Sequence, residues 1–524
     1  MKKIRMMMTR AAAGVWKMIA KSAIGQYLNR HLPSLEPWRH LDGDQIESRL
    51  AALRPWALFH THPWDHQRIG FLACLWHKRL VLLFDMGLGK TKTLLDVARC
   101  LMAAGKVRRV LVLVPTRGSQ ATWNIENRKH TPDLDLRVLS GTPEAREEVV
   151  NSAEVVVATY MGWLRMVTKQ GRRGWALDLE ALEWMAGEFQ MVVYDESTAI
   201  KSDKALCFRA AAWLADSGLV PYRYALTATP FGKDPGDLWS QFYAVDRGKA
   251  LGRTFNLFRE AFFRKAKGWH DKDVWVFRKS MIPKLANMIE SRSIRFDIQE
   301  VRDMPKQIFT KHPVNWHKES RLHYDKAIEA IRASGKNPRE MENIFHRLRY
   351  LASGLLVVKT DGGERVEARL PNLKMEEMLS KLAEVSSGSR VVIFHEYRAS
   401  GDWLSEEMDR LGLAVLRLWS GERHQDRVLE AFGQDDRHRV LLANNQAAAL
   451  SLNLQVANYV FYYESPTSPI IRQQSERRCW RPGQDRHVFY YDFFMRDSIE
   501  TRILASLREG KDLLADVKAG RAKF

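Results

Sequence analysis

From Leu80 onward the sequence alternates short apolar runs with segments long enough for a helix: Leu80 to Phe84, Val110 to Val114, Val155 to Ala158, Met191 to Tyr194 and Tyr224 to Thr227. Apolar runs of strand length separated by helical stretches predict a parallel sheet wrapped by helices. A second series follows at Val391 to Phe394, Ala414 to Leu418, Val440 to Leu442, Tyr459 to Tyr463 and Val488 to Tyr491. The expectation is an α/β chain with one parallel-sheet lobe over 51–245 and another over 374–524, preceded by a basic extension over 1–50. Between the lobes, 246–373 lacks the alternation and reads as a helical linker or protrusion. There Phe255, Phe258, Phe262 and Phe263 form a stripe better suited to core than to a ligand box. A hairpin is expected between Leu355 to Lys359 and Arg365 to Glu367, with Asp361-Gly362-Gly363 supplying the positive φ angles of its turn.

The 524 residues include 82 lysines and arginines against 62 acidic residues, a formal charge of +20. That surplus points to a polyanionic partner. Lys17 and Lys21 interrupt the apolar part of the N-terminal extension before it becomes a targeting h-region, so it reads as amphipathic or DNA-facing. No apolar run approaches the roughly 18 residues of a membrane span, and a soluble, cytoplasmic chain with no membrane partner is expected. Cys74, Cys100, Cys207 and Cys479 show neither metal-ligand spacing nor a disulfide framework.

Gly87-Leu88-Gly89-Lys90-Thr91 lies between the run Leu80 to Phe84 and the helix-compatible Leu94 to Ala104. Glycines there let backbone N–H groups approach phosphate oxygens, and the helix N-terminus adds partial positive charge. Lys90 is the candidate for the β/γ-phosphates of ATP, and Thr91 for Mg²⁺. Asp195 and Glu196 follow Met191 to Tyr194, at the carboxyl end of a strand, where open α/β sheets bind ligands. Asp195 is the second candidate for Mg²⁺, and Glu196 the candidate base for the attacking water. Upstream, Gln67 precedes a helix and could read an adenine edge.

Further along, Leu226-Thr227-Ala228-Thr229-Pro230 and Gln474-Ser475-Glu476-Arg477-Arg478-Cys479-Trp480-Arg481-Pro482-Gly483-Gln484 complete an ordered set. The chain resembles the Swi/Snf-type branch of the superfamily 2 helicases over roughly 60–512. Other segments of the same kind are Trp123 with Glu126, Thr159-Tyr160, Asp237-Leu238-Trp239 and Ser498-Ile499-Glu500. The resemblance implies two RecA-like lobes with a nucleotide cleft between them. It implies that Arg478 and Arg481 are arginine fingers on one helix, that Gly87, Leu88, Gly89 and Gln484 join Gln67 in holding ATP, and that Trp123, Thr159, Thr227, Thr229, Asn453 and Gln474 couple or contact DNA. Two positions depart from the pattern. Thr198 stands where the family usually has histidine, so the link from the acidic pair to the coupling motif runs through a hydroxyl. Ala447 to Leu454 keeps Asn453 but replaces the expected glycines with alanine and serine.

The short middle region resembles compact members from bacteriophages and mobile elements, which implies a bacterial host cell. The leading expectation is an ATP-dependent translocase on double-stranded DNA, because phosphate contacts supply affinity without sequence readout. The alternatives are a strand-separating or junction-processing helicase, and the motor subunit of a nuclease complex with cutting supplied by a partner.

Overall fold

The computed structural model describes residues 24–518 except 54–58, 172–173, 229, 231–233, 268–272, 302, 334–337, 360–364, 420–424 and 447–452. It divides into two compact units, 1–301 and 302–524.

The first unit is built on seven strands: β1 (Arg79–Phe84), β2 (Val110–Val114), β3 (Leu136–Val138), β4 (Val155–Thr159), β5 (Met191–Asp195), β6 (Tyr222–Leu226) and β7 (Ser293–Phe296). They run in the order β7-β1-β6-β5-β2-β4-β3, with every neighbouring pair parallel. Every residue of β2 is buried, as expected for a strand covered on both faces. The topology puts β1, β6 and β5 side by side, so the loops leaving their carboxyl ends emerge together.

The second unit has a six-stranded parallel sheet: β8 (Gln307–Val314), β9 (Val391–His395), β10 (Val415–Leu418), β11 (Val440–Asn444), β12 (Tyr459–Tyr462) and β13 (Val488–Met495), in the order β8-β13-β12-β9-β11-β10. Lys374, fully buried on the helix Leu373–Ala383, meets Glu500 with Nζ to Oε1 at 2.6 Å, and the other Glu500 oxygen accepts from the Met495 N–H at 2.9 Å. Removing either partner of such a buried pair strands the other charge, at about 3–5 kcal/mol. The segment Ser498-Ile499-Glu500 is therefore a structural clamp, with Ser498 capping the helix Ile499–Arg508.

The middle region expected over 246–373 does not form a body of its own. Its helix Phe255–Phe262 buries Phe258 and Phe262 in the core of the first unit, with Phe263 beside them, as the stripe implied. A hairpin that the sequence did not announce follows, pairing Phe263–Lys267 with Asp273–Phe277. β7 then joins the first sheet beside β1, and β8 joins the second beside β13. Both escaped the alternation reading because they sit at sheet edges, where polar residues and even Pro313 are tolerated. The expected hairpin of 355–369 is present, Leu355 opposite Arg369 and Lys359 opposite Arg365, while its Asp-Gly-Gly turn lies outside the described residues.

The extension over 1–50 is described from residue 24 onward. Tyr27 is buried with its hydroxyl on the Leu251 carbonyl at 2.9 Å, the Leu35 N–H bonds the Glu290 carbonyl at 3.0 Å, and Arg39 pairs with Glu300 at 2.8 Å. Residues 24–51 thus pack on the first unit. All four cysteines are free and buried. Among the described residues no helix is long and apolar enough to cross a membrane.

Candidate nucleotide-binding site

The loop after β1 turns through Gly87 (φ 82°) and Gly89 (φ 75°), conformations that carry no steric penalty only for glycine. Gly89 is the N-cap of the helix Lys90–Ala103. The N–H groups of that helix's first turn have no intrahelical acceptor and aim outward at the loop. Lys90 Nζ donates to the Phe84 and Asp85 carbonyls at 2.8 and 3.3 Å, holding its ammonium inside the loop, and Thr91 lies half-buried beside it.

Gln67 braces this loop from behind. Its Nε2 donates to the Leu88 carbonyl at 3.1 Å, its Oε1 accepts from the Trp64 N–H at 3.0 Å, and His66 Nε2 lies 2.8 Å from the same Leu88 carbonyl. A Cβ on Gly89 would collide with the Gln67 amide, a second reason for glycine there. The amide expected to read an adenine edge is thus buried and bonded to backbone at both ends.

Asp195 closes β5. Its Oδ2 accepts from Trp123 Nε1 at 2.8 Å, and its carbonyl accepts from the Tyr160 hydroxyl at 3.0 Å. Trp123 is 1% exposed, so it holds the carboxylate in place and offers no surface to a nucleic acid; of the coupling or DNA-contacting role expected for it, only coupling suits this position. Its neighbour Glu126 pairs with His130 at 3.2 Å. Thr159 likewise acts locally, for its hydroxyl accepts from the Gly162 N–H at 3.0 Å and caps the helix Tyr160–Val167.

Glu196 adopts a left-handed backbone (φ 49°), unusual for a residue with a side chain and a recurrent sign of a functional turn. Its Oε1 accepts from Thr198 Oγ1 at 3.3 Å and from Thr227 Oγ1 at 3.2 Å. The Thr198 hydroxyl thus bonds back to Glu196 within the same turn, and Glu196 itself, through Thr227, joins the acidic pair to the loop after β6. Thr229 of that loop lies outside the described residues. Burial raises the Asp195 carboxyl above its ordinary range, while the Trp123 bond and the Lys90 ammonium pull it back. Burial also raises Glu196, against the Lys90 ammonium and with the help of the Asp195 charge.

One member of the cluster was not read from the sequence. Gln241, on the helix Asp237–Asp246, accepts from Ser197 Oγ at 2.7 Å, and its amide nitrogen donates to the carbonyls of Pro230 and Asp237. The only sequence hint was its place just after Asp237-Leu238-Trp239. A helix N-terminus whose first-turn N–H groups lack an intrahelical acceptor, a lysine, a hydroxyl and two adjacent half-buried carboxylates form a donor set that fits a polyphosphate with a divalent metal ion.

In the second unit, Arg478 lies in the last turn of the helix Pro469–Cys479, but Arg481 follows the Trp480 cap, so the two arginines do not share a helix as expected. Gln474 is buried on that helix. Gln484 is buried too: Nε2 donates to the Gln455 and Ala457 carbonyls at 2.8 and 2.9 Å, and Oε1 accepts from the Arg486 N–H at 3.0 Å. It staples the turn before β12 and has no free amide edge for ATP. Asn453 is exposed and accepts from the Gln455 N–H at 3.3 Å, while 447–452 before it lie outside the described residues.

A model of the SNF2-related domain matches residues 64–356, and one of the helicase conserved C-terminal domain matches 374–483. A putative protein p41 from Acyrthosiphon pisum secondary endosymbiont phage 1 is 24% identical over 88% of this chain and 98% of its own length. An ISWI chromatin-remodeling complex ATPase of Arabidopsis thaliana is 23% identical over 81% of this chain, and a putative ATP-dependent helicase/translocase of Bacillus subtilis is 22% identical over 85%. The chain spans 39% and 46% of the lengths of those two relatives. A Sulfolobus solfataricus SWI2/SNF2 ATPase core solved with double-stranded DNA is 19% identical, covering 88% of this chain and 94% of that one, at a TM-score of 0.39.

Proposed function

The chain belongs to the SNF2-related helicase family, and on that premise we propose that it is a DNA-dependent ATP hydrolase that moves along double-stranded DNA. The observation that carries this reading is the bonding of Glu196 to Thr227. It joins the candidate catalytic base to the loop after β6, so a change at one is felt at the other.

In this reading the first-turn N–H groups of Lys90–Ala103 and the Lys90 ammonium receive the phosphates of ATP. Thr91 and Asp195 would hold a magnesium ion, which when bound offsets phosphate charge. Trp123 keeps Asp195 oriented for that role. Glu196 takes the proton of the attacking water at Oε1 or Oε2 and is kept ionised enough to do so by the two threonine hydroxyls and Lys90. Arg478 and Arg481 supply positive charge to the phosphoryl group in flight. The +20 surplus provides phosphate contacts along DNA without reading its sequence.

The test is turnover without nucleic acid and then with duplex DNA, single-stranded DNA and RNA. It is joined to displacement of a triplex-forming strand and to unwinding of a plain fork, with Lys90→Ala as control. The proposal expects duplex stimulation and ATP-dependent triplex displacement with poor fork unwinding. Efficient fork unwinding without triplex displacement would replace it with the strand-separating alternative.

A further inference from the structure

The hairpin Phe263–Lys267/Asp273–Phe277 is a two-stranded ribbon outside the main sheet of the first unit. Its register separates two faces, since directly opposed residues of an antiparallel pair share a side. Phe263 opposite Phe277, Lys265 opposite Trp275 and Lys267 opposite Asp273 lie on one face. Phe263 is buried, and Trp275 and Phe277 pack against the same core, so this face anchors the ribbon. Arg259 and Lys265 both lie over the Trp275 ring, at 4.7 and 5.5 Å from its centroid.

The opposite face carries Arg264 opposite Val276, and Ala266 opposite Val274. Val274 and Val276 are 41% and 40% exposed, and Arg264 is exposed beside them. An isolated two-stranded ribbon is marginal in water, and one that shows valines to solvent gains nothing from doing so alone. The surrounding charge is one-sided. Among the described residues of 259–284, Arg259, Arg264, Lys265, Lys267, Arg278, Lys279 and Lys284 face only Glu260 and Asp273. Asp273 pairs with Lys267 at 3.2 Å, with both side chains more than half exposed, a surface pairing that a phosphate readily replaces.

We propose that this ribbon is a DNA-contacting element: its outward face lies against the groove of a duplex, with Arg264 on a phosphate and Val274 and Val276 on sugar or base edges, while the exposed Lys265 and Lys267 of the other face meet phosphates beyond the ribbon's edges. The inference rests on the duplex-DNA reading above and adds a contact outside the nucleotide-site loops. Charge complementarity selects a polyanion, and the shape selects a duplex, because a major groove admits a two-stranded ribbon. Five residues per strand reach about 17 Å, enough to lie across a groove about 12 Å wide.

The test compares the full-length wild type with the triple variant Arg264→Gln, Lys265→Gln, Lys267→Gln. DNA-free turnover should be unchanged, because none of the three belongs to the nucleotide site. Duplex affinity should fall about tenfold or more, and its log–log salt slope should drop by about 0.9 for each phosphate that is no longer neutralised. A dye on Val276→Cys, with the basic residues intact, should change its emission when plain duplex is added without ATP. If the wild type is stimulated by duplex but the triple variant keeps its affinity and salt slope, the ribbon inference is overturned and the duplex reading stands. A wild type that neither binds duplex nor is stimulated by it overturns both. Emission at Val276→Cys that answers to an acidic protein but not to DNA overturns the ribbon's assignment alone.

Discussion

Ser197 donates a 2.7 Å hydrogen bond from its hydroxyl to Oε1 of Gln241, and both residues are buried. Since the Gln241 amide nitrogen also holds the carbonyls of Pro230 and Asp237, one side chain ties the residue after the acidic pair to the loop after β6. This is a second connection between those loops, parallel to the one through Glu196 and Thr227.

Gln241→Leu tests that connection. It leaves the Ser197 hydroxyl buried without its acceptor, at a cost of about 1–3 kcal/mol. The unfolding midpoint should drop modestly. If Gln241 positions the loop, the ratio of DNA-stimulated to DNA-free turnover should collapse while DNA-free turnover persists. Should both rates fall together in proportion to the folded fraction, Gln241 is packing only.

Lys90→Ala should abolish hydrolysis while leaving duplex binding close to wild type. Its ammonium sits on the Phe84 and Asp85 carbonyls within the loop, away from a basic surface spread over the chain. Turnover and DNA affinity measured on one preparation decide it. Wild-type turnover in the variant would remove the loop from phosphate binding.

What could be read in the sequence was whatever short-range chemistry dictates. Gly87 and Gly89 announce a left-handed turn, and an apolar run before Asp195 announces a strand end, so the phosphate loop and acidic pair stood out. Trp123, Gln67 and Gln484 were legible as positions but not as roles. Each makes its decisive bond with a residue distant along the chain, Asp195, Leu88 and Ala457 respectively, and only packing reveals whether a polar side chain faces a ligand or a backbone carbonyl. Gln241 was missed for the same reason. The edge strands β7 and β8 lacked a signal because an edge need not be apolar on both faces.

Glu196 is open to a pH experiment. Burial favours its protonated form, so the folded-state pKa lies above the ordinary glutamate value; its ionised form costs stability above that pKa, and the cost is relieved as pH falls through it. A base must be ionised, so DNA-stimulated turnover should fall on the acid side at a higher pH than an unperturbed glutamate would give. Thr227→Val removes a hydrogen bond that favours the ionised form and should move the acid limb further towards neutrality. Glu196→Gln should bind ATP yet lose about 10²- to 10⁴-fold in turnover. An acid limb that ignores Thr227→Val would argue that another group governs it.

The arginines after Glu476 should separate by role. Arg477 lies over the Trp480 ring at 4.7 Å, and Arg472 is buried against Asp492 with Nη2 to Oδ2 at 3.0 Å, so both have structural roles within the second unit. Arg478, in the last helical turn, and Arg481, beyond the Trp480 cap, remain the finger candidates. A finger stabilises charge that develops only as the phosphoryl group transfers, so Arg478→Ala and Arg481→Ala should each cut DNA-stimulated turnover by about 10³-fold or more. ATP affinity should change far less, because the effect belongs to the transition state and not to the bound nucleotide. Arg477→Ala is the control: it gives up its stacking on Trp480 and should keep most of its turnover. The two arginines differ in backbone setting, so a loss confined to one would assign the finger to it and leave the other as a local support. Full DNA stimulation in both variants would exclude them as fingers and require the positive charge to come from another residue.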